Sequence, residues 1–168
     1  GLDIPPVKRQ KQQGRPITKF FQMPSFLSGL IAAALGYCIM TFLMTATPLQ
    51  VVDVSRLSHE ANARVIQWHV VAMFAPSLFS GVLIAKFGVG KILWAGLACY
   101  VAASMIALSG TGFYIYLGAL IFIGIGWNFL YVGGSSVIAN SASPEERGRV
   151  QGIADFCIFS VVATASML

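Results

Sequence analysis

The stretch Phe113 to Ala139, "FYIYLGALIFIGIGWNFLYVGGSSVIA", holds no Asp, Glu, Lys, Arg or His. About 20 mostly apolar residues suffice to cross a bilayer as a helix, and a helix satisfies its own backbone there. This stretch therefore predicts a membrane span. Four more approach the same length and apolarity: about Phe26 to Val52, Val65 to Ala85, Ile92 to Gly110, and Val150 to Leu168. Composition agrees, since the chain is 57% hydrophobic and 10% charged, against roughly 25% charged in a soluble domain. Mean hydropathy is +0.76. No stretch alternates apolar and polar residues as a barrel strand must. The fold class expected is all-α: a polytopic bundle of about five transmembrane helices.

The connections set the topology. "KFGVGK" and "SGTGF" are tight turns built on Gly, and the segment from Asp53 to Arg64 is the longest loop expected. Short turns imply antiparallel neighbours. Lys8, Arg9, Lys11, Arg15 and Lys19 precede the first span, Lys86 and Lys91 flank the turn after the second, and Arg147 and Arg149 precede the fifth. Only Arg56 and Arg64 fall on the other side. Nine against two places the N-terminus in the cytoplasm by the positive-inside rule. The net charge of +5 then reflects topology and contact with anionic lipid headgroups, and nucleic acid is not expected as a partner. Residues 1–25 read as a cytoplasmic basic linker and 26–168 as the bundle. The chain opens without Met and stops in apolar sequence, so it reads as part of a longer protein. Cys38, Cys99 and Cys157 form no CxxC pair and read as small packing residues.

Small residues let helices approach closely in lipid. Ala95, Cys99, Ala103 and Ala107 recur every four residues, as do Ser77, Gly81 and Ala85; Gly29 with Ala33 and Ala32 with Gly36 mark the first span. These predict contact faces. Gly118, Gly124, Gly126, Gly133 and Gly134 serve either close packing or helix bending.

Polar residues inside spans must find partners away from lipid. Tyr37, Thr41 and Thr45 share a face of the first span; Gln67, Trp68 and His69 sit near the outer end of the second, which Pro76 interrupts. Asn128, Tyr131 and Ser135 share a face of the fourth, and Gln151 and Asp155 lie four apart on the fifth. The third span is nearly bare apart from Tyr100 and Ser104 and is expected to face lipid. Each stripe has a plainer alternative. Thr41 and Thr45 can return hydrogen bonds to the preceding turn, and His69 can sit at the interface beside Trp68. Asn128, whose amide needs several partners, is expected at a cavity.

"ASPEERGRVQGIADF", Ala142 to Phe156, combines a loop with a helix start. Ser143 as N-cap, Pro144 at the first position and Glu146 three residues after the cap predict a capping box. Asp155 then lies roughly 18 Å along the helix at 1.5 Å per residue. A carboxylate there needs a polar partner such as Asn128, or a residue outside this chain, and reads either as proton-coupling or as structural.

"GVLIAKFGVGK", Gly81 to Lys91, resembles the Gly-x-Leu-x-Asp-Arg-x-Gly-Arg-Arg/Lys loop of the major facilitator superfamily. Gly81, Leu83, Lys86, Gly88 and Lys91 fit, and Ala85 replaces the family's Asp, as is typical of the second copy of the loop. "PEERGRVQG" and "GIGWNF" are similar to the family's loop into the fifth or eleventh helix and to the helix before it. The ordered set resembles the central linker and helices seven to eleven, and "LMTATP…QWHVVAMFAPS" is similar to one bacterial subgroup. The resemblance implies a C-terminal half lacking its last helix. It also implies a secondary transporter of a small organic solute, in the bacterial inner membrane, working by alternating access with the missing N-terminal half. Partners implied are the lipid bilayer, the solute, and protons as candidate coupling ions. Tyr37, Thr41, Thr45, Gln67, His69 and Asn128 are assigned to the solute pathway. The alternative is a non-transporting membrane scaffold. No enzyme is expected: "HEANA" at His59 lacks the second His of a zinc site, and no cofactor or metal site is read.

Overall fold

The structure, a computed structural model, describes residues 14–167; Leu168 and residues 1–13 of the linker, with Lys8, Arg9 and Lys11, lie outside the described residues. Among those described, the chain is helical throughout, with no strand. A short helix α1 (Ile17–Phe20) leads to α2 (Pro24–Pro48), with Pro24 at its first turn where a missing N–H costs nothing. A π-helical segment, Leu49–Val54, prolongs α2 beyond Pro48, and Ser55 N–H donates to the Gln50 carbonyl at 2.9 Å. Then come α3 (His59–Phe74), α4 (Ser77–Phe87), α5 (Val89–Leu108), α6 (Phe113–Asn140) and α7 (Arg147–Ala165).

The expected loop from Asp53 to Arg64 is largely absent. The π segment consumes its beginning, and Ser58 caps α3, its hydroxyl accepting from the Ala61 N–H at 3.1 Å. Between Phe74 and Ser77 the helix axis bends by 41° at Pro76, so α3 and α4 together form one broken span. α4 stops at Gly88, whose φ of +84° an L side chain rarely adopts. The α2 rod, α5 and α6 are long and apolar enough to cross a bilayer, four spans counting the bent pair. The expected fifth span is helical as α7, though Arg147, Arg149, Gln151 and Asp155 make its first half polar.

α6 lies at the centre, and α2, α3 and α5 meet chiefly through it. Its glycines explain how one helix serves three neighbours. A Cβ on Gly134 would lie 2.6 Å from the Gly29 carbonyl oxygen of α2, one on Gly126 would lie 2.9 Å from that of Gly96 on α5, and one on Gly124 would lie 2.8 Å from that of His69 on α3. Each approach admits no side chain, so these three glycines serve packing, and α6 runs unbroken through them.

Two expected contact faces shift. On α5 the buried line is Ile92, Gly96, Tyr100 and Ala103, with Ala107 exposed, because the Gly96–Gly126 approach sets the rotation. On α4, Ser77, Gly81 and Ala85 are exposed and Ser80 is the buried residue. Outward, α5 shows Trp94, Val101 and Met105.

Candidate functional site

The residues of the polar stripe read on the fourth span have different partners. Asn128 is fully buried and points to the break in the second span. Its Nδ2 donates to the Met73 carbonyl at 2.7 Å and to Ser77 Oγ at 2.5 Å, and its Oδ1 accepts from Ser80 Oγ at 2.7 Å. The kink at Pro76 releases carbonyls from the helical ladder, and in lipid such groups need protein partners. Asn128 supplies one, so its amide serves a knot between helices rather than open space, which corrects its expected place at a cavity.

Beside Asn128, about 100° around α6 at Trp127, lies an aromatic cluster. Trp127 and Tyr131 stack at 5.2 Å with 7° between ring planes. Tyr37 of α2 meets both edge-on, at 5.3 and 5.6 Å, and meets Phe159 of α7 at 5.3 Å. Phe74, at the end of α3, closes on Trp127 at 6.0 Å. Trp127 is buried with its Nε1–H unpartnered, while Phe74 and Phe159 are exposed. Such rings present broad apolar faces with polar tips. Trp127, Phe74 and Phe159 were not among the sequence candidates. The usable signal was spacing: Trp127, Tyr131 and Ser135 recur every four residues, and the Ser135 hydroxyl is likewise buried without a partner.

Asp155 lies at the edge of this cluster, one turn before Phe159. Its Oδ1 accepts from Gln151 Nε2 at 3.0 Å, so its partner is on its own helix and is not Asn128.

Below Tyr37, Thr41 and Thr45 line a mostly apolar cleft of about 580 Å³ between α2, Ser104 of α5, and Val162 and Ala165 of α7. The Thr45 hydroxyl donates to the Thr41 carbonyl at 2.9 Å, the local bond its position in a helix favours. Tyr37, Thr41 and Thr45 thus remain together along one wall. Gln67 does not join them, being on the exposed side of α3. His69 is enclosed rather than interfacial: it is fully buried, its Nδ1 lies 2.7 Å from the Leu120 carbonyl oxygen, and its Nε2 is unpartnered. Only Trp68, at 55% exposure, keeps the expected position at the surface. Of the loop residues, Gly88 makes the turn, Leu83 is half-buried, and Gly81, Lys86 and Lys91 are exposed, with Lys86 over the Phe87 ring at 5.3 Å.

A charged clamp closes the end of the bundle where α2 begins. Arg15 donates from its backbone N–H to Glu146 Oε1 at 2.6 Å and from Nη2 to Oε2 at 2.8 Å, with a further bond to the Ser141 carbonyl at 3.0 Å. Arg149 donates to the Arg15 carbonyl. These bonds from Arg15 pull the buried Glu146 carboxyl down to about 2. The capping box forms only in part. Glu146 accepts from the Ser143 N–H at 3.1 Å, but the Ser143 side chain caps nothing and α7 begins at Arg147, because Arg15 holds Glu146 in the preceding turn.

Comparison with known proteins gives the following. Residues 2–166 match the profile of the Major Facilitator Superfamily. The chain is 44% identical over 153 residues to a riboflavin transporter, RfnT, of Brucella anthropi, covering 91% of this chain and 38% of that protein. It is 33% identical over 129 residues to the uncharacterized MFS-type transporter YddS of Bacillus subtilis, covering 76% of this chain and 29% of that protein. YdeG of the same organism, also an uncharacterized MFS-type transporter, is 31% identical over 134 residues, with 77% and 30% covered. The chain thus spans between 29% and 38% of the length of these relatives. No solved structure matches it significantly.

Proposed function

Because the chain belongs to the major facilitator superfamily, we propose that it forms one wall of a secondary transporter for a planar aromatic solute, with flavins the first class to test. The observation that carries this reading is the Trp127–Tyr131 stack with Tyr37 set edge-on against it. Aromatic clusters of this kind receive flat rings by stacking. The 44% identity to a riboflavin transporter supports the flavin class.

In this reading the chain is helices seven to eleven of a C-terminal half. An N-terminal half faces Tyr37 and the cleft below it, and the two halves rock about a solute held near the midplane. Thr41 and Thr45 line the way in. The linker and the loops before α5 and α7 lie in the cytoplasm, in a bacterial inner membrane, and protons are the first coupling ion to test. The experiment is flux of the full-length protein in proteoliposomes across a panel of solutes, with and without a pH gradient. Saturable riboflavin flux that Tyr131→Ala reduces at least tenfold is expected. Flux of non-aromatic solutes only would overturn the reading.

A further inference from the structure

The cluster around Tyr37 contains one buried polar group without a partner and, at its edge, a carboxylate with a single partner. Trp127 is 5% exposed and its indole N–H has no acceptor. Well over nine-tenths of buried polar groups in proteins are paired, so such an orphan calls for a reason. Asp155 has one oxygen engaged by Gln151, and no Lys or Arg pairs with it among the described residues. A carboxylate in a bilayer helix is normally paired or faces water. Trp127 lies against the Tyr37 ring at 5.3 Å, and Asp155 sits one helical turn before Phe159, which meets the same ring at 5.3 Å. Phe74 and Phe159, both exposed, border the cluster.

We propose that Trp127 and Asp155 are the two polar ends of one binding site. Trp127 Nε1–H donates to a carbonyl-type acceptor of the solute, and Asp155 accepts an N–H or O–H from it. This rests on the reading that the solute is planar and aromatic, and adds that it is a fused heteroaromatic carrying both an acceptor and a donor. Gln151 acts as a positioning residue, orienting the carboxylate through its 3.0 Å bond.

The test uses the full-length protein in proteoliposomes, riboflavin as solute, and anthracene as a competitor that offers neither donor nor acceptor. Trp127→Phe keeps a ring and removes the N–H. It is expected to raise the KM for riboflavin about tenfold, the worth of roughly one hydrogen bond, and to leave inhibition by anthracene unchanged. Trp127→Ala weakens both. Asp155→Asn raises the riboflavin KM by a similar factor while uptake keeps its dependence on the pH gradient. Thermal midpoints in detergent, expected to match wild type for Trp127→Phe and Asp155→Asn, separate binding from folding. An unchanged KM in Trp127→Phe overturns the donor. An Asp155→Asn variant with unchanged KM but no response to the gradient makes Asp155 a proton carrier and overturns the acceptor. If wild-type protein moves only non-aromatic solutes, the functional reading falls and this inference with it; wild-type riboflavin uptake with both variants unchanged defeats the inference alone.

Discussion

Trp127 and Asn128 are consecutive residues on α6, about 100° apart around its axis, and both are buried. Every donor of the Asn128 amide has a partner, and the residue joins α6 to the broken second span. The Trp127 N–H has none and sits within rings that reach the surface. A buried polar group costs free energy unless it is bonded, so a fully bonded one fixes architecture. The unbonded neighbour is where the fold has left interaction energy unspent. The same helix thus carries, at adjacent positions, one buried polar group that is fully bonded and one that is not.

The sharpest way to break this division is at the spacing of the helices. Gly134→Val puts a branched side chain where a Cβ alone would lie 2.6 Å from the Gly29 carbonyl oxygen. Backbone cannot yield cheaply there, and no folded protein is expected by size-exclusion chromatography after extraction. Gly118 is the control, since its nearest neighbour would be a methyl group of Ile106 at 3.7 Å. Gly118→Ala should fold normally and gain up to about 1 kcal/mol from helix propensity.

Next in size is the knot. Asn128→Leu keeps the volume and strands the Met73 carbonyl and the Ser77 hydroxyl, while the Ser80 hydroxyl keeps its bond to the Pro76 carbonyl. A loss of about 1–3 kcal/mol is expected, read as a lowered midpoint in thermal unfolding. Flux per folded molecule should change far less than in Trp127→Ala; equal losses of flux would erase the distinction between the two residues.

The charged clamp tests a third region by pH. Glu146 has its carboxyl lowered from 4.5 to about 2. Its contribution is therefore complete above about pH 4.5 and disappears as pH falls through about 2. Protease cleavage in the linker near Arg15 should stay slow down to pH 4 in wild type, while Glu146→Gln should be cleaved faster across that range. The smallest effect is predicted at Thr45→Val, which removes a hydroxyl bonded only to its own helix. Stability should stay within about 0.5 kcal/mol of wild type in a thermal scan.

The bilayer made most of the fold legible. Apolar length and Gly turns located the helices, because lipid leaves the backbone few alternatives, though the second span begins six residues before the expected Val65 and is broken in two. What escaped were contacts that only the assembled bundle creates. Arg15 and Glu146 are 131 residues apart, and neither sequence neighbourhood contains the other. His69 looked interfacial beside Trp68, yet helical rotation sends the two side chains to opposite environments. Tyr37 was recognised for its hydroxyl, while its ring proves the more informative part. Trp127 enters the sequence reading only within the "GIGWNF" resemblance. Its spacing with Tyr131 and Ser135 was visible, but the unpartnered N–H is a property of the packed structure alone.

The central position of α6 also fixes the order in which this bundle can be made. The ribosome produces α2, the broken pair and α5 before α6 exists, and these helices meet chiefly through it. Until residue 140 has left the translocon, Gly29 and Gly96 face lipid or an insertion factor instead of their carbonyl partners. At about 5–20 residues per second, that interval lasts several seconds. It is the window in which a nascent chain of this kind is open to degradation, and in which a membrane chaperone has a vacant face to hold.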